Sequence, residues 1–260
     1  MNANDDVGAR SGEPLLRMQG VSKSFAGFVA VRNLDLDIAR GTIHALIGPN
    51  GAGKTTVFNL MTKFHQPTSG RIFFKGQDIT AKKPSEIARL GMVRSFQISA
   101  VFASMSALEN VRVALQRFSG DNFAFWKSDR VLRALDDRAR ELLDEVGLDD
   151  LRDRKAGELP YGRRRALELA TTLALEPEML LLDEPMAGMG HENVERTAAL
   201  IRRVAKSRTV LMVEHNLSVV ADLSDRITVL ARGEIRAEGD YARVSNDPAV
   251  IEAYMGADHD

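Results

Sequence analysis

Gly48-Pro49-Asn50-Gly51-Ala52-Gly53-Lys54-Thr55-Thr56 decides the reading of this chain. The run meets the phosphate-loop pattern Gly-x-x-x-x-Gly-Lys-[Ser/Thr] at every required position. An apolar stretch, Ile43 to Ile47, precedes it and predicts a buried strand. Val57, Leu60, Met61 and Phe64 follow at i, i+3, i+4 and i+7 and predict a helix face. Gly48, Gly51 and Gly53 allow the backbone to turn tightly and bring its N–H groups onto phosphates. The helix N-terminus behind them adds its dipole. Lys54 reaches β- and γ-phosphates in such a loop, and the Thr55 hydroxyl suits Mg²⁺.

Upstream, Leu34, Leu36 and Ile38 alternate with Asp35 and Asp37, the period of a half-buried strand. Ile72 to Phe74 predicts another strand after the turn residues Pro67, Ser69 and Gly70. The expectation is an antiparallel β-unit folded against the strand that feeds the loop. From about Ala100 to Leu175 the pattern turns helical. Leu135, Ala139, Leu142, Leu143 and Val146 share one face, with Gly147 as a C-cap. Leu167, Ala170, Leu173 and Ala174 mark a second helix that stops at Glu176-Pro177. Phe118 to Ser128 reads as an irregular, lid-like insertion. Beyond Pro177 strands and helices alternate: Met179 to Leu182, Val210 to Val213 and Ile227 to Leu230 as strands, Val194 to Val204 as a helix. That rhythm predicts a parallel sheet with helices on its faces. Asp247-Pro248 is a cap and first-turn proline for a last short helix.

Leu180 to Pro185 reads LLLDEP. An apolar strand that ends in Asp183 delivers a carboxylate to the carboxyl edge of the sheet, where α/β ligands bind. Asp183 suits Mg²⁺, and Glu184 suits the general base for an attacking water. A solvated turn is the alternative for two adjacent acids. His215 ends the next strand and is placed to face a γ-phosphate as a donor. Gln97, after Val93-Arg94-Ser95-Phe96, is either an exposed loop residue or a sensor of Mg²⁺ and water.

Composition narrows the class. A net charge of −1 gives no reason to bind a nucleic-acid backbone. The chain has no cysteine, so disulfides and thiolate metal sites are excluded. No stretch approaches the roughly 20 apolar residues of a membrane helix. The polar, acidic residues 1–14 read as a disordered tail, not a signal peptide. The expected location is the cytoplasm, peripheral on the inner face of the cell membrane.

GPNGAGKTT, Gln97, LPYGR (Leu159 to Arg163), LLLDEP and His215, in this order, resemble the nucleotide-binding subunits of ATP-binding cassette transporters. The resemblance runs from Leu15 to Gly256. It implies a RecA-like α/β P-loop core with an antiparallel β-subdomain and an inserted α-helical subdomain. The segments would be 15–97 for the β-subdomain and loop, 98–175 for the helical subdomain, and 176–257 for the rest. It implies Phe25 stacked on adenine and Asn50 to Thr56 around the phosphates. Thr55, Gln97 and Asp183 would serve Mg²⁺. Glu184 would be the base and His215 the switch residue. It also implies a head-to-tail dimer in which Leu159, Pro160, Tyr161, Gly162 and Arg163 complete the ATP site of a second ATPase subunit. The region after Gln97 would dock on transmembrane permease subunits, served in turn by a periplasmic solute-binding protein.

Two departures stand out. Leu-Ser-Gly-Gly-Gln is the usual signature, and here Pro160 replaces the serine while Arg163 replaces the glutamine and brings positive charge towards phosphate. Arg163 to Arg165 otherwise reads as a solvated helix face. After Pro185 the usual loop ends in Asp or Asn, whereas Ala187-Gly188-Met189 is followed by Gly190. VRSFQ, VEHNLSVV and the tail DPAVIEAYMG resemble the branched-chain amino acid uptake class, and urea importers share much of this pattern. A cassette ATPase acting on DNA or ribosomes fits less well, because there is no heptad insertion, second phosphate loop or basic patch. A non-hydrolysing regulatory partner is opposed by intact Lys54, Asp183, Glu184 and His215.

Overall fold

The computed structural model describes residues 13–95, 101–116 and 135–255. β1 (Leu16–Phe25) and β2 (Phe28–Ile38) form an antiparallel hairpin. Leu34, Leu36 and Ile38 of β2 are buried while Asp35 and Asp37 are exposed, so the alternation places one face on the core. β3 (Ile43–Ile47) leads through the glycine loop into α1 (Lys54–Met61). β4 (Ser69–Phe74) and β5 (Gln77–Asp78) complete a four-stranded antiparallel sheet in the order β2-β1-β4-β5. A short helix, α2 (Pro84–Arg89), precedes β6 (Met92–Arg94).

The helical layer holds α3 (Ala107–Leu115), α4 (Asp136–Glu145) and α5 (Tyr161–Leu173). Ser106 and Glu109 cap α3 reciprocally, each side chain accepting the other's backbone N–H. Gly147, with φ +71°, ends α4 in the left-handed conformation. Its N–H donates to Asp144 O at 2.9 Å and that of Leu148 to Leu143 O at 2.7 Å, the paired bonds of a Schellman motif. Then follow β7 (Met179–Asp183), α6 (His191–Ala205), β8 (Thr209–Val213), α7 (Leu217–Leu223), β9 (Arg226–Ala231), β10 (Glu234–Gly239), α8 (Tyr241–Ser245) and α9 (Pro248–Met255). Asp247 caps α9 as expected, its Oδ1 accepting from Ala249 N at 2.9 Å.

The second sheet has the order β10-β9-β3-β8-β7-β6, parallel throughout except for the edge pair β9–β10. β3, β7 and β8 are buried at every residue. Their side chains split between two cores with a period of two. Ile43, Ala45 and Ile47, with Leu180, Leu182, Val210 and Met212, pack among α3–α7. Leu46, Leu181, Leu211 and Val213 face α1 and the antiparallel sheet. A strand covered on both faces needs an unbroken apolar run, which is why these three read so clearly in the sequence.

Three expectations need correction. Phe64 does not extend the apolar face of α1. The helix ends at Thr62, whose hydroxyl donates to Phe58 O at 2.7 Å, and Lys63 reverses the chain at φ +63°, leaving Phe64 exposed. Ser69 and Gly70 are not turn residues but the first two residues of β4, Ser69 paired with Ser22 and Gly70 at a break in the register. Gly70 can sit there because a Cβ would lie 2.4 Å from Gly20 O on the neighbouring strand. And the sheet is not wholly parallel: β10 folds back antiparallel on β9.

Candidate nucleotide site

The loop between β3 and α1 is shaped by contacts that only glycine permits. A Cβ on Gly48 would lie 2.0 Å from Leu230 O, and one on Gly53 2.7 Å from Ala30 O. Both residues have positive φ, +148° and +103°. The brace comes from the β9–β10 turn: Gly233 N donates to Ala52 O, and Arg32 N to Gly233 O, each at 2.9 Å. The hairpin that broke the parallel pattern therefore holds the loop from behind. Gly53 is the N-cap of α1 and offers no side-chain acceptor, and the first turn has no acid. The first amides of α1 are thus aimed outward without a protein acceptor, a ready anion site.

Lys54 arcs back over this loop, its Nζ donating to Gly48 O at 2.6 Å and Pro49 O at 2.8 Å. Burial pushes its pKa down, while Glu184 and Asp183 pull it up. The three groups therefore share one electrostatic neighbourhood, although they come from opposite halves of the chain. Thr55, next on α1, is exposed.

Asp183 ends β7 almost fully buried and is ion-paired with Arg94 from the end of β6. Arg94 also donates to Asn59 Oδ1 of α1 at 2.7 Å, and its guanidinium lies 5.7 Å from the Phe58 ring centre. Glu184 is half-buried with φ +48°, uncommon for a residue with a side chain, and its N–H donates to Val213 O at 2.9 Å. Strained backbone of this kind persists where neighbours over-determine it. His215 is exposed on the loop after β8. Phe25 sits at the tip of the β1–β2 hairpin, 38% exposed, edge-on to His65 at 5.1 Å and beneath Lys23 Nζ at 4.9 Å. Gln97 and the 118–128 segment lie outside the described residues.

The segment Leu159–Arg163 forms the start of α5. Leu159 is buried, Pro160 is the exposed N-cap, and no side chain caps the helix. Tyr161, 47% exposed, donates its hydroxyl to Ala187 O at 3.2 Å. Gly162 is wedged against Asn193, whose Oδ1 would lie 2.9 Å from a Cβ. Arg163 does not project its charge forward. Its guanidinium donates to Gly147 O at 2.6 Å, at the negative end of α4. Nor is Arg163 to Arg165 a solvated face. Arg164 bonds the carbonyls of Gly157 and Leu159, and Arg165 bonds Tyr161 and Glu168.

Sequence reasoning assigned no part to Arg94 or Glu214. Glu214 is fully buried and accepts three backbone N–H groups. A charged residue at or just past the end of an apolar strand is the available signal in each case. Their partners, distant in sequence, are not.

A glycine loop at a parallel strand's end, braced from behind and facing acids on the neighbouring strand, defines a P-loop nucleotide-binding fold. Residues 31–187 match the family model "ABC transporter", and the chain belongs to that family of ATP-binding cassette ATPases. Residues 237–260 match a second model, "Branched-chain amino acid ATP-binding cassette transporter". The chain is 38% identical over 253 residues to the high-affinity branched-chain amino acid transport ATP-binding protein BraF of Pseudomonas aeruginosa, covering 94% of this chain and 98% of that one. It is equally similar to LivG of Escherichia coli K12, 38% over 255 residues with the same coverage. Among solved structures, the ADP conformation of MJ1267, an ATP-binding cassette of an ABC transporter, superposes with a TM-score of 0.82 at 30% identity, covering 94% of this chain and all of that one.

Proposed function

We propose that this chain is the ATP-hydrolysing subunit of an importer for branched-chain amino acids. The observation that carries the site assignment is that β3, which leads into the phosphate loop, and β7, which ends in Asp183 next to Glu184, both lie parallel against β8, so loop and acids meet at one edge of the sheet. The loop amides and the N-terminus of α1 bind the phosphate chain, with Phe25 beside the base. Lys54 leaves the Gly48 and Pro49 carbonyls for the β- and γ-phosphates. Glu184 takes the proton of the attacking water, and His215 donates to the γ-phosphate.

Thr55 and Asp183, with Gln97, would hold Mg²⁺, the Asp183 carboxylate turning from its ion pair with Arg94 towards the cation. Among the described residues no cluster of three or more His, Cys, Asp or Glu side chains could hold a metal. A cation held there by few protein oxygens would be of the kind that keeps water and phosphate ligands, as Mg²⁺ does. When bound it neutralises charge on the β- and γ-phosphates.

In this reading Leu159–Arg163 closes the ATP site of a second ATPase subunit through the first amides of α5. The region after Gln97 meets the permease, and a periplasmic binding protein supplies the solute. No helix among the described residues is long and apolar enough to cross a membrane, so attachment would be peripheral, on the inner face of the membrane. ATPase activity of the chain assembled with its permease and binding protein tests the whole reading. Leucine, isoleucine or valine should stimulate turnover. Stimulation by urea alone would move the assignment to an amide importer. Glu184→Gln should retain ATP and slow hydrolysis by about a hundredfold or more. Loss of binding together with turnover would make Glu184 structural.

A further inference from the structure

Glu214 follows β8, is fully buried, and has no cation among the partners its carboxylate shows. Its two oxygens divide between two loops. Oε1 accepts Met186 N at 3.0 Å, 28 residues away and two beyond Glu184. Oε2 accepts His215 N at 3.0 Å and Asn216 N at 3.2 Å. These amides lie just past the point where the β7–β8 ladder ends, at Asp183 and Val213. Past the one further backbone bond of Glu184 N, the carboxylate takes over the task of joining the two segments. Each end is anchored further out. Glu184 N bonds Val213 O at 2.9 Å, and Ala187 accepts the Tyr161 hydroxyl at 3.2 Å. On the other side Asn216 caps α7, accepting from Ser218 N and Val219 N.

A buried carboxylate holding three amides is costly to form and costly to break, because each freed amide would be desolvated without a partner. We propose that Glu214 is a positioning residue whose carboxylate clamps the loop after Glu184 to the loop bearing His215. The two then move as one body relative to the phosphates. Through Tyr161 the clamp extends to the start of α5, so a displacement there is felt at Glu184 and His215 of the same chain. The catalytic consequence rests on the proposed ATPase reading; the clamp itself rests on geometry alone.

Glu214→Leu keeps about the same bulk but removes both acceptor oxygens, so neither loop is served. Amide hydrogen exchange in the nucleotide-free protein should accelerate about ten- to a hundredfold at Met186, His215 and Asn216 together, with Ile43–Ile47 unchanged. In steady-state ATP hydrolysis kcat should fall by about tenfold or more, while KM and the affinity for a fluorescent ATP analogue stay within about twofold. Acceleration at one loop only, or no acceleration, overturns the clamp. Faster exchange at both loops with unchanged kcat overturns its positioning role. If Ile43–Ile47 also exchange faster, Glu214→Asp, which keeps the charge but shortens the reach, decides on the same readouts. A wild-type chain without ATP turnover would sink the ATPase reading and leave the exchange result to judge the clamp.

Discussion

The phosphate loop and the start of α5 are both helix N-termini free of side-chain caps, yet they are built differently. The loop is held by backbone. Gly48 and Gly53 press against carbonyls of other strands, and the supporting strand β3 is buried on both faces. The start of α5 is held by side chains. Pro160 is exposed, and Tyr161, Arg163 and Arg164 each reach a carbonyl on another segment. Backbone-held geometry admits almost no substitution. Side-chain-held geometry lets residues change as long as some donor reaches, which is the physical room for Pro160 and Tyr161 at this helix start.

The largest effect is expected at the loop's one charged group. Lys54→Ala removes the ammonium proposed to stabilise phosphate charge and should lower ATP turnover by about a thousandfold or more. Steady-state hydrolysis by the purified chain checks it, and turnover close to wild type would detach Lys54 from the chemistry. Gly48→Ala follows. The new methyl would meet Leu230 O well inside contact distance at a positive φ, so a loss of about 3 kcal/mol or more is expected. Urea denaturation measures it. A Gly162→Ala variant meets only the Asn193 side chain, which can move, and should cost about 1 kcal/mol. Equal losses at the two sites would break the contrast.

How far this was legible follows the same division. β3, β7 and β8 announce themselves because burial on both faces demands apolar residues throughout. The loop glycines announce themselves because nothing else fits. β10 did not, because an edge strand with Glu234, Arg236 and Glu238 carries no apolar run. Phe64 misled because the helical period continued in sequence past the point where Thr62 and Lys63 end the helix. Arg94 and Glu214 were visible as charges but not as partners. Their meaning lies in Asp183 and Met186, which only the folded sheet brings near. Arg163 was read as free charge because its acceptor, the carbonyl of Gly147, exists only once α4 has ended there.

The backbone-held region should also carry a distinct acid sensitivity. His44 of β3 is fully buried, bonds Thr228 Oγ1 at 2.8 Å through Nε2, and is pushed down to about 3 by burial, with Arg226 adding to the shift. A folded-state pKa below the unfolded value of 6.5 means the unfolded chain binds the extra proton. The stability this residue protects is complete above pH 6.5 and is lost as pH falls towards 3. From pH 7 to pH 5 its share is about 2 kcal/mol. His44→Gln, which retains a hydrogen-bonding group near Thr228, should flatten that part of the urea-denaturation profile. An unchanged profile would place the acid sensitivity elsewhere.

The smallest effect is the sharpest test of the contrast. Pro160→Ser puts a hydroxyl at the N-cap of α5, where serine is among the preferred residues and its oxygen can accept an amide of the first turn. Two consequences separate. The helix start should gain about 0.5–1 kcal/mol of stability, read as a higher Tm of the lone chain. If the hydroxyl also serves a second subunit's phosphate, ATP-driven dimerisation should tighten by about three- to tenfold. Sedimentation in a Glu184→Gln background, where bound ATP persists, measures the second without interference from turnover. A higher Tm with no change in association would mean that the hydroxyl spends itself on its own helix. The side-chain-held end would then close its partner's site with backbone amides alone, without a charge like the one Lys54 adds to the phosphate loop.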